Sequence, residues 1–96
     1  ETAEKLLRKA LSYHPDHRAY LGLGMIKQRK SEFKESVTIL EEGLSHWPES
    51  EDLNLCVGIS RMNMGDFKGA LDHFSKFPES KAAVQYRKEC VNALKR

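Results

Sequence analysis

One stretch of this chain comes back. Leu7–Pro15 reads Leu-Arg-Lys-Ala-Leu-Ser-Tyr-His-Pro, and Leu40–Pro48 reads Leu-Glu-Glu-Gly-Leu-Ser-His-Trp-Pro. Leu7 matches Leu40, Leu11 matches Leu44, Ser12 matches Ser45 and Pro15 matches Pro48, all at a separation of 33. A second set of matches sits at 34: Leu23 with Val57, Gly24 with Gly58, Phe33 with Phe67, Ser36 with Ala70 and Leu40 with Phe74. Self-similarity at this period marks an array of helical hairpins, in which no single hairpin buries its apolar face alone and neighbours stack to share a core.

Apolar spacing and terminal signals place the helices. Ala3, Leu7 and Ala10 recur at helical spacing within 2–13, with Glu1 and Glu4 near the start, until Pro15 stops the run. Asp16 is the expected N-cap of a second helix over 17–30, with Tyr20, Leu23, Gly24 and Lys27 as its inner seam. Gly22 and Gly24 each cost about 1 kcal/mol in a helix interior, so close approach of another helix is expected there. Ser31 is expected to cap a third helix over 32–46, which Pro48 ends. Ser50 caps a fourth over 51–64. Gly65 and Asp66 form the turn to a fifth over 67–76. Pro78-Glu79-Ser80 repeats Pro48-Glu49-Ser50 and opens a sixth helix, 81–95, with Ala83, Val84, Arg87, Cys90, Val91 and Leu94 on one side. Six helices with short connections make neighbours antiparallel.

A helix–turn–helix unit at this period, with a mid-helix Gly, a small residue in its second helix and a closing Pro, resembles the tetratricopeptide repeat. Residues 17–48 carry Tyr20, Leu23-Gly24, Ser36, Leu40, Gly43 and Pro48 at the family's places. Residues 51–78 carry Val57-Gly58, Gly65-Asp66-Phe67, Ala70 and Phe74. Residues 3–15 supply the second half of a preceding unit. The resemblance implies an all-α, right-handed superhelical stack of antiparallel pairs, forming one domain over 1–96. There are departures. Asn54 replaces an aromatic, Lys27 and Arg61 stand where a large residue belongs, and Phe77 stands where a small one does. Pro48 and Pro78 are only 30 apart, so the second unit is short by about one turn. Lys88 takes the place of the helix-A Gly in the last helix, which reads as a polar-faced cap ending the array.

Composition narrows the function classes. Sixteen basic and fourteen acidic residues leave a net charge of +2, too weak a field to predict nucleic acid or a membrane as partner. No apolar run reaches the ~18–20 residues that span a bilayer. Cys56 and Cys90 fall inside helices and read as reduced, partly buried thiols, hence a cytoplasmic location, although a disulfide between them stays open. The chain begins with Glu, not Met, and is expected to be a piece of something longer.

Catalytic and metal signals are weak. His14, Asp16 and His17 bring two imidazoles and a carboxylate together, but Pro15 divides them between helices. Solvated loop histidines are the expectation. His46 and His73 read as helix-surface or interhelical residues. Lys27, Arg29, Lys30 and Lys34, interleaved with Glu32 and Glu35, read as a solvated helix junction. Gly22-x-Gly24 lies mid-helix with no preceding strand, so it is not a phosphate loop. The reading is therefore a non-enzyme with no cofactor and no metal.

What the resemblance implies instead is a protein–protein interaction module, because the family's first helices line a concave groove for a peptide or helix. Carried onto this chain, the groove positions are Arg18, Leu21, Met25, Gln28 and Arg29 from the second helix. The fourth gives Asp52, Leu55, Ile59, Met62 and Asn63. Leu21 and Met25 stand where the family's carboxylate-clamp Lys and Asn would be, so an apolar partner is expected over an acidic tail. Leu6 and Tyr13 form a second apolar seam that nothing in the chain obviously covers, which makes self-association the alternative. Further alternatives are a spacer in a larger protein or a regulatory appendage of an enzyme elsewhere in the full-length chain.

Overall fold

Prolines and side-chain caps punctuate the chain where the sequence puts them. A computed structural model describes residues 2–96 and holds six helices and no strand among them. They are α1 (Thr2–Tyr13), α2 (His17–Arg29), α3 (Phe33–His46), α4 (Glu51–Asn63), α5 (Phe67–Ser75) and α6 (Lys81–Leu94). Glu1, expected near the start of the first helix, lies outside the described residues. The Asp16 carboxylate accepts from the Arg18 and Ala19 amides at 2.9 and 3.2 Å. Ser50, Asp66 and Ser80 accept in the same way from Leu53, Gly69 and Ala83. Each satisfies backbone donors that a helix start leaves without partners.

Ser31 differs from expectation. It does not cap α3, whose first turn receives no side-chain cap. It belongs to the end of α2, with φ of 63° in the left-handed region. Its amide donates to Gln28 O at 3.0 Å, and the Glu32 amide donates to Lys27 O at 2.8 Å. These are the two bonds of a Schellman ending. The same pair recurs one repeat later, where Gly65 (φ 83°) donates to Met62 O and Asp66 to Arg61 O. The turn geometry repeats although the residue does not. A serine in the left-handed conformation costs about 1–2 kcal/mol that a glycine avoids.

Packing follows the repeat. Tyr20, Val37, Leu40, Leu53, Cys56 and Val57 make one buried cluster across α2, α3 and α4. Ala70, Phe74, Ala83 and Cys90 make a second, with Leu55, Ile59 and Met62 of α4 packed against it. Each fully buried large side chain stabilises by roughly 1.5–3 kcal/mol. Mid-helix glycines seat the largest of them. A Cβ on Gly24 would lie 2.4 Å from Leu40, and one on Gly58 would lie 2.5 Å from Phe74. Gly22 does the same for Leu7 of α1, at 3.0 Å. Both glycines of α2 therefore have the close neighbour that their helix-breaking tendency calls for.

Neighbours in sequence pack on one another, and α2 also touches α4 and α4 touches α6. Among the described residues no backbone of α1, α3 or α5 comes within 8 Å of another of the three, Cα to Cα. The first helices of each pair thus form a continuous layer, and the second helices splay apart on the other side. The body measures 43 × 25 × 18 Å, elongated along the stacking direction. No described helix is long and apolar enough to cross a membrane. The last helix departs from its expected inward set. It buries Ala83 and Cys90 but leaves Val91 and Leu94 exposed.

Candidate functional site

The layer formed by α2 and α4 carries all ten of the groove positions, and they pair across the repeat. Arg18 and Asp52, Leu21 and Leu55, Met25 and Ile59, Gln28 and Met62, and Arg29 and Asn63 are repeat equivalents. Met25 is exposed, at 40%. Arg18, Arg29, Asp52 and Asn63 are exposed as well, and Asn63 donates its side-chain amide to Ile59 O within its own helix. Leu21 packs against the first core cluster. Leu55, Ile59 and Met62 pack against the second, each remaining partly accessible. The apolar half of this face therefore belongs partly to the core.

Gln28 takes part in a polar network inside the stack. Its side-chain amide donates to Cys56 O at 3.2 Å and to Ser60 Oγ at 2.8 Å. Ser60 Oγ lies 3.0 Å from Ser36 Oγ, and Ser36 donates to Gly24 O at 2.8 Å. Ser36 and Ser60 are fully buried. Three helices are tied together by hydroxyls at positions kept small for packing. Ser36 is legible in the sequence as the small residue of its unit, but its hydrogen-bonding role is not.

The basic junction at the end of α2 is exposed at Arg29, Lys30 and Lys34, as expected, but not at Lys27. Lys27 is buried, and its ammonium lies 3.2, 3.2 and 3.4 Å from Glu4, Glu32 and Glu35. Glu4 also meets Lys30 at 3.2 Å and Arg8 at 3.3 Å. The hydrogen bonds from Lys30 and then Lys27 hold the Glu4 carboxyl down at about 2. Arg61, the repeat equivalent of Lys27, is gripped likewise by Asp66 at 2.8 Å and by Glu41. A backbone bond from Gly69, then Arg61, keeps Asp66 below the usual carboxylate range. A cation can fill this inward repeat position because a long stem packs while its head stays paired.

His14 is exposed, as expected of a loop histidine, and the other three histidines are used within the fold. His17 Nε2 lies 2.7 Å from Ser50 Oγ, and its ring meets Trp47 edge-on at 5.4 Å. His46 stacks on Tyr20 at 6.0 Å. Tyr20 donates to Glu42 at 3.0 Å, and burial followed by Glu42 raises its hydroxyl above the ordinary value. His73 bonds to the buried Asn54 at 2.8 Å. No three metal-ligating side chains converge among the described residues. Cys56 and Cys90 are free and buried. Burial, then Asp52, pushes the Cys56 thiol up to about 11, and burial raises Cys90 too.

Other surfaces stay open. A cleft of about 790 Å³ lies on the splayed side, lined among others by Arg8, Phe33, Lys34, Thr38, Ile39 and Met64. None of the ten groove positions lines it. Leu6 and Tyr13, on α1, are 63% and 73% exposed. The outer side of α6 is open as well. A scan against protein-family models finds no match to this chain, and a search of curated proteins finds no relative.

Proposed function

We propose that the chain is a tetratricopeptide-like protein-interaction module that receives a helix or extended peptide along the face of α2 and α4. The observation supporting this reading is the ladder of paired positions. Met25 is exposed, and Leu21 with the α4 residues Leu55, Ile59 and Met62 in the same layer stays partly accessible. Charged and polar groups, Arg18, Arg29, Asp52 and Asn63, frame them. A partner's apolar stripe covers the centre, and the frame sets its register. Methionine suits this because its unbranched stem adapts to an irregular ligand. The core packing of Leu55 and Ile59 shapes the test. Met25→Asp alone, at the exposed end of the ladder, is expected to leave the circular dichroism spectrum unchanged and to weaken partner capture at least ~10-fold, as a charge in an apolar contact does. Unchanged capture by a folded Met25→Asp protein removes the groove assignment.

Leu6 and Tyr13 support a second reading, self-association through α1. They are seven residues apart on one face and the most exposed large hydrophobics described. Sedimentation equilibrium is expected to show a dimer that Tyr13→Glu converts to monomer. A monomer across the accessible concentration range disposes of this reading and leaves the first untouched.

A further inference from the structure

Positive charge is concentrated at one end of the stack. Lys81, Arg87, Lys88, Lys95 and Arg96 face a single acid, Glu89, so the last sixteen residues carry +4, twice the net charge of the whole chain. Four of the eleven cations elsewhere are answered. Arg8, Lys27, Lys30 and Arg61 each meet a carboxylate within the fold. Among the described residues, none of the five at this end is in an ion pair with one. Lys95 and Arg96 suit the negative end of the α6 dipole, but Arg87 and Lys88 lie mid-helix, where the dipole gives them no partner.

The same side is apolar where a core would be. Arg87, Val91 and Leu94 recur at i, i+4 and i+7 and share a face. Val91 is 36% and Leu94 44% exposed. Beside them a cleft of about 480 Å³ opens between α5 and α6, lined by Leu71, Ser75, Arg87, Lys88, Val91 and Asn92. α5 has nine residues and α6 fourteen, so α6 outruns its neighbour by roughly 7 Å at 1.5 Å per residue. The cleft makes a step with an apolar floor, Leu71 and Val91, and a basic rim, Arg87 and Lys88.

We infer that this step at the α5–α6 end is a second docking surface, and that its occupant is an acidic amphipathic helix of another protein. Such a helix lies along α6 as the second member of a pair, its apolar stripe on Leu71, Val91 and Leu94, its carboxylates on Arg87 and Lys88. Charge complementarity selects this occupant. A second copy of the chain offers α1 as its open helix, and α1 carries Lys5 and Lys9 beside the Glu4–Arg8 pair, a net positive charge that repels. An anionic bilayer supplies the charge, but α6 turns Ala83 and Cys90 into the protein and has only Val91 and Leu94 left to insert. Interfacial helices need a broad apolar face.

The probes are a synthetic Leu/Ala-striped amphipathic peptide flanked by Glu, its Lys-flanked counterpart, and phosphatidylserine-containing vesicles. Fluorescence anisotropy with the full chain is expected to show the Glu peptide binding at least ~10-fold more tightly than the Lys peptide, with the difference shrinking in high salt. NMR shifts are expected at Leu71 and at 87–94, not at Met25. Arg87→Glu with Lys88→Glu, both exposed, is expected to invert the preference. Should that pair unfold the protein, Arg87→Gln with Lys88→Gln is expected to abolish it. Equal binding of the two peptides overturns the proposal. So does a preference unmoved by the substitutions, shifts confined to the α2–α4 face, or binding to vesicles with none to the Glu peptide.

Discussion

Phe74→Ala is expected to lower the unfolding free energy by about 3–5 kcal/mol, a large fraction of the roughly 5–15 kcal/mol a domain of this size has. Phe74 is 1% exposed, closes the second core and stacks on Tyr86 at 5.2 Å. Its ring also occupies the space above Gly58, where a methyl group would lie 2.5 Å from the ring edge. A second substitution checks that the seat is specific. Gly58→Ala alone is expected to destabilise by about 1–3 kcal/mol through overpacking. In the Phe74→Ala background the same change meets no ring, adds helix propensity worth about 1 kcal/mol and partly fills the cavity, so its sign reverses. Urea denaturation of the four proteins measures the coupling. A Gly58→Ala effect that is equal in both backgrounds contradicts the seat.

Asn54→Ala is expected to destabilise by about 2–4 kcal/mol, combining a cavity with orphaned polar groups. Asn54 is fully buried where its repeat equivalent in this chain, Tyr20, is aromatic. Its amide nitrogen donates to Pro48 O at 3.2 Å and Ser50 O at 2.8 Å. Its oxygen therefore faces His73, which fixes the proton on His73 Nδ1. Asn54 and His73 should accordingly couple: a double-mutant cycle is expected to give about 0.5–3 kcal/mol, and additivity would refute the bond. The histidine also gives stability a pH dependence. Burial, ahead of the nearby Arg61, holds His73 below its ordinary 6.5, so the unfolded chain takes up the proton more readily. Stability is complete above about pH 6.5 and declines as the pH falls below it; Asn54→Ala should alter this slope.

The two residues show what is legible in the sequence. Helix ends are, because Pro15, Pro48 and Pro78 stop helices for steric reasons and Asp16, Ser50, Asp66 and Ser80 cap them locally. The glycine seats are, because a helix-breaking residue at a repeated place needs a neighbour. Polar substitutions of core positions are not. Asn54, Lys27 and Arg61 register only as departures from an apolar pattern, since Lys27 and Arg61 pair with acids of other segments and Asn54 with His73 of α5. A clue is present at Lys27 and Arg61, each followed five positions later by an acid, Glu32 and Asp66. Ser31 misleads because serine before an acidic run looks like an N-cap. Its place one repeat before Gly65 marks a helix end instead. Gln28 reads as groove surface for want of any sign that Ser60 lies opposite.

The groove and the two ends of the stack stand differently. Periodicity says which side of a helix faces its neighbours, and it puts α2 and α4 in one layer. It does not say how far each side chain is covered. Leu55, Ile59 and Met62 are covered in part by the second core, a consequence of the third dimension.

The glycine seats bear on how this chain reaches its structure. Gly24 and Leu40 are sixteen positions apart, and so are Gly58 and Phe74. The tightest contacts close short loops, for which the entropic cost is small. Such a topology folds quickly, because its contacts are local in sequence. A growing chain would complete the α2–α3 seat while α5 was still unmade, so assembly from the amino end never has to wait for a distant strand or terminus.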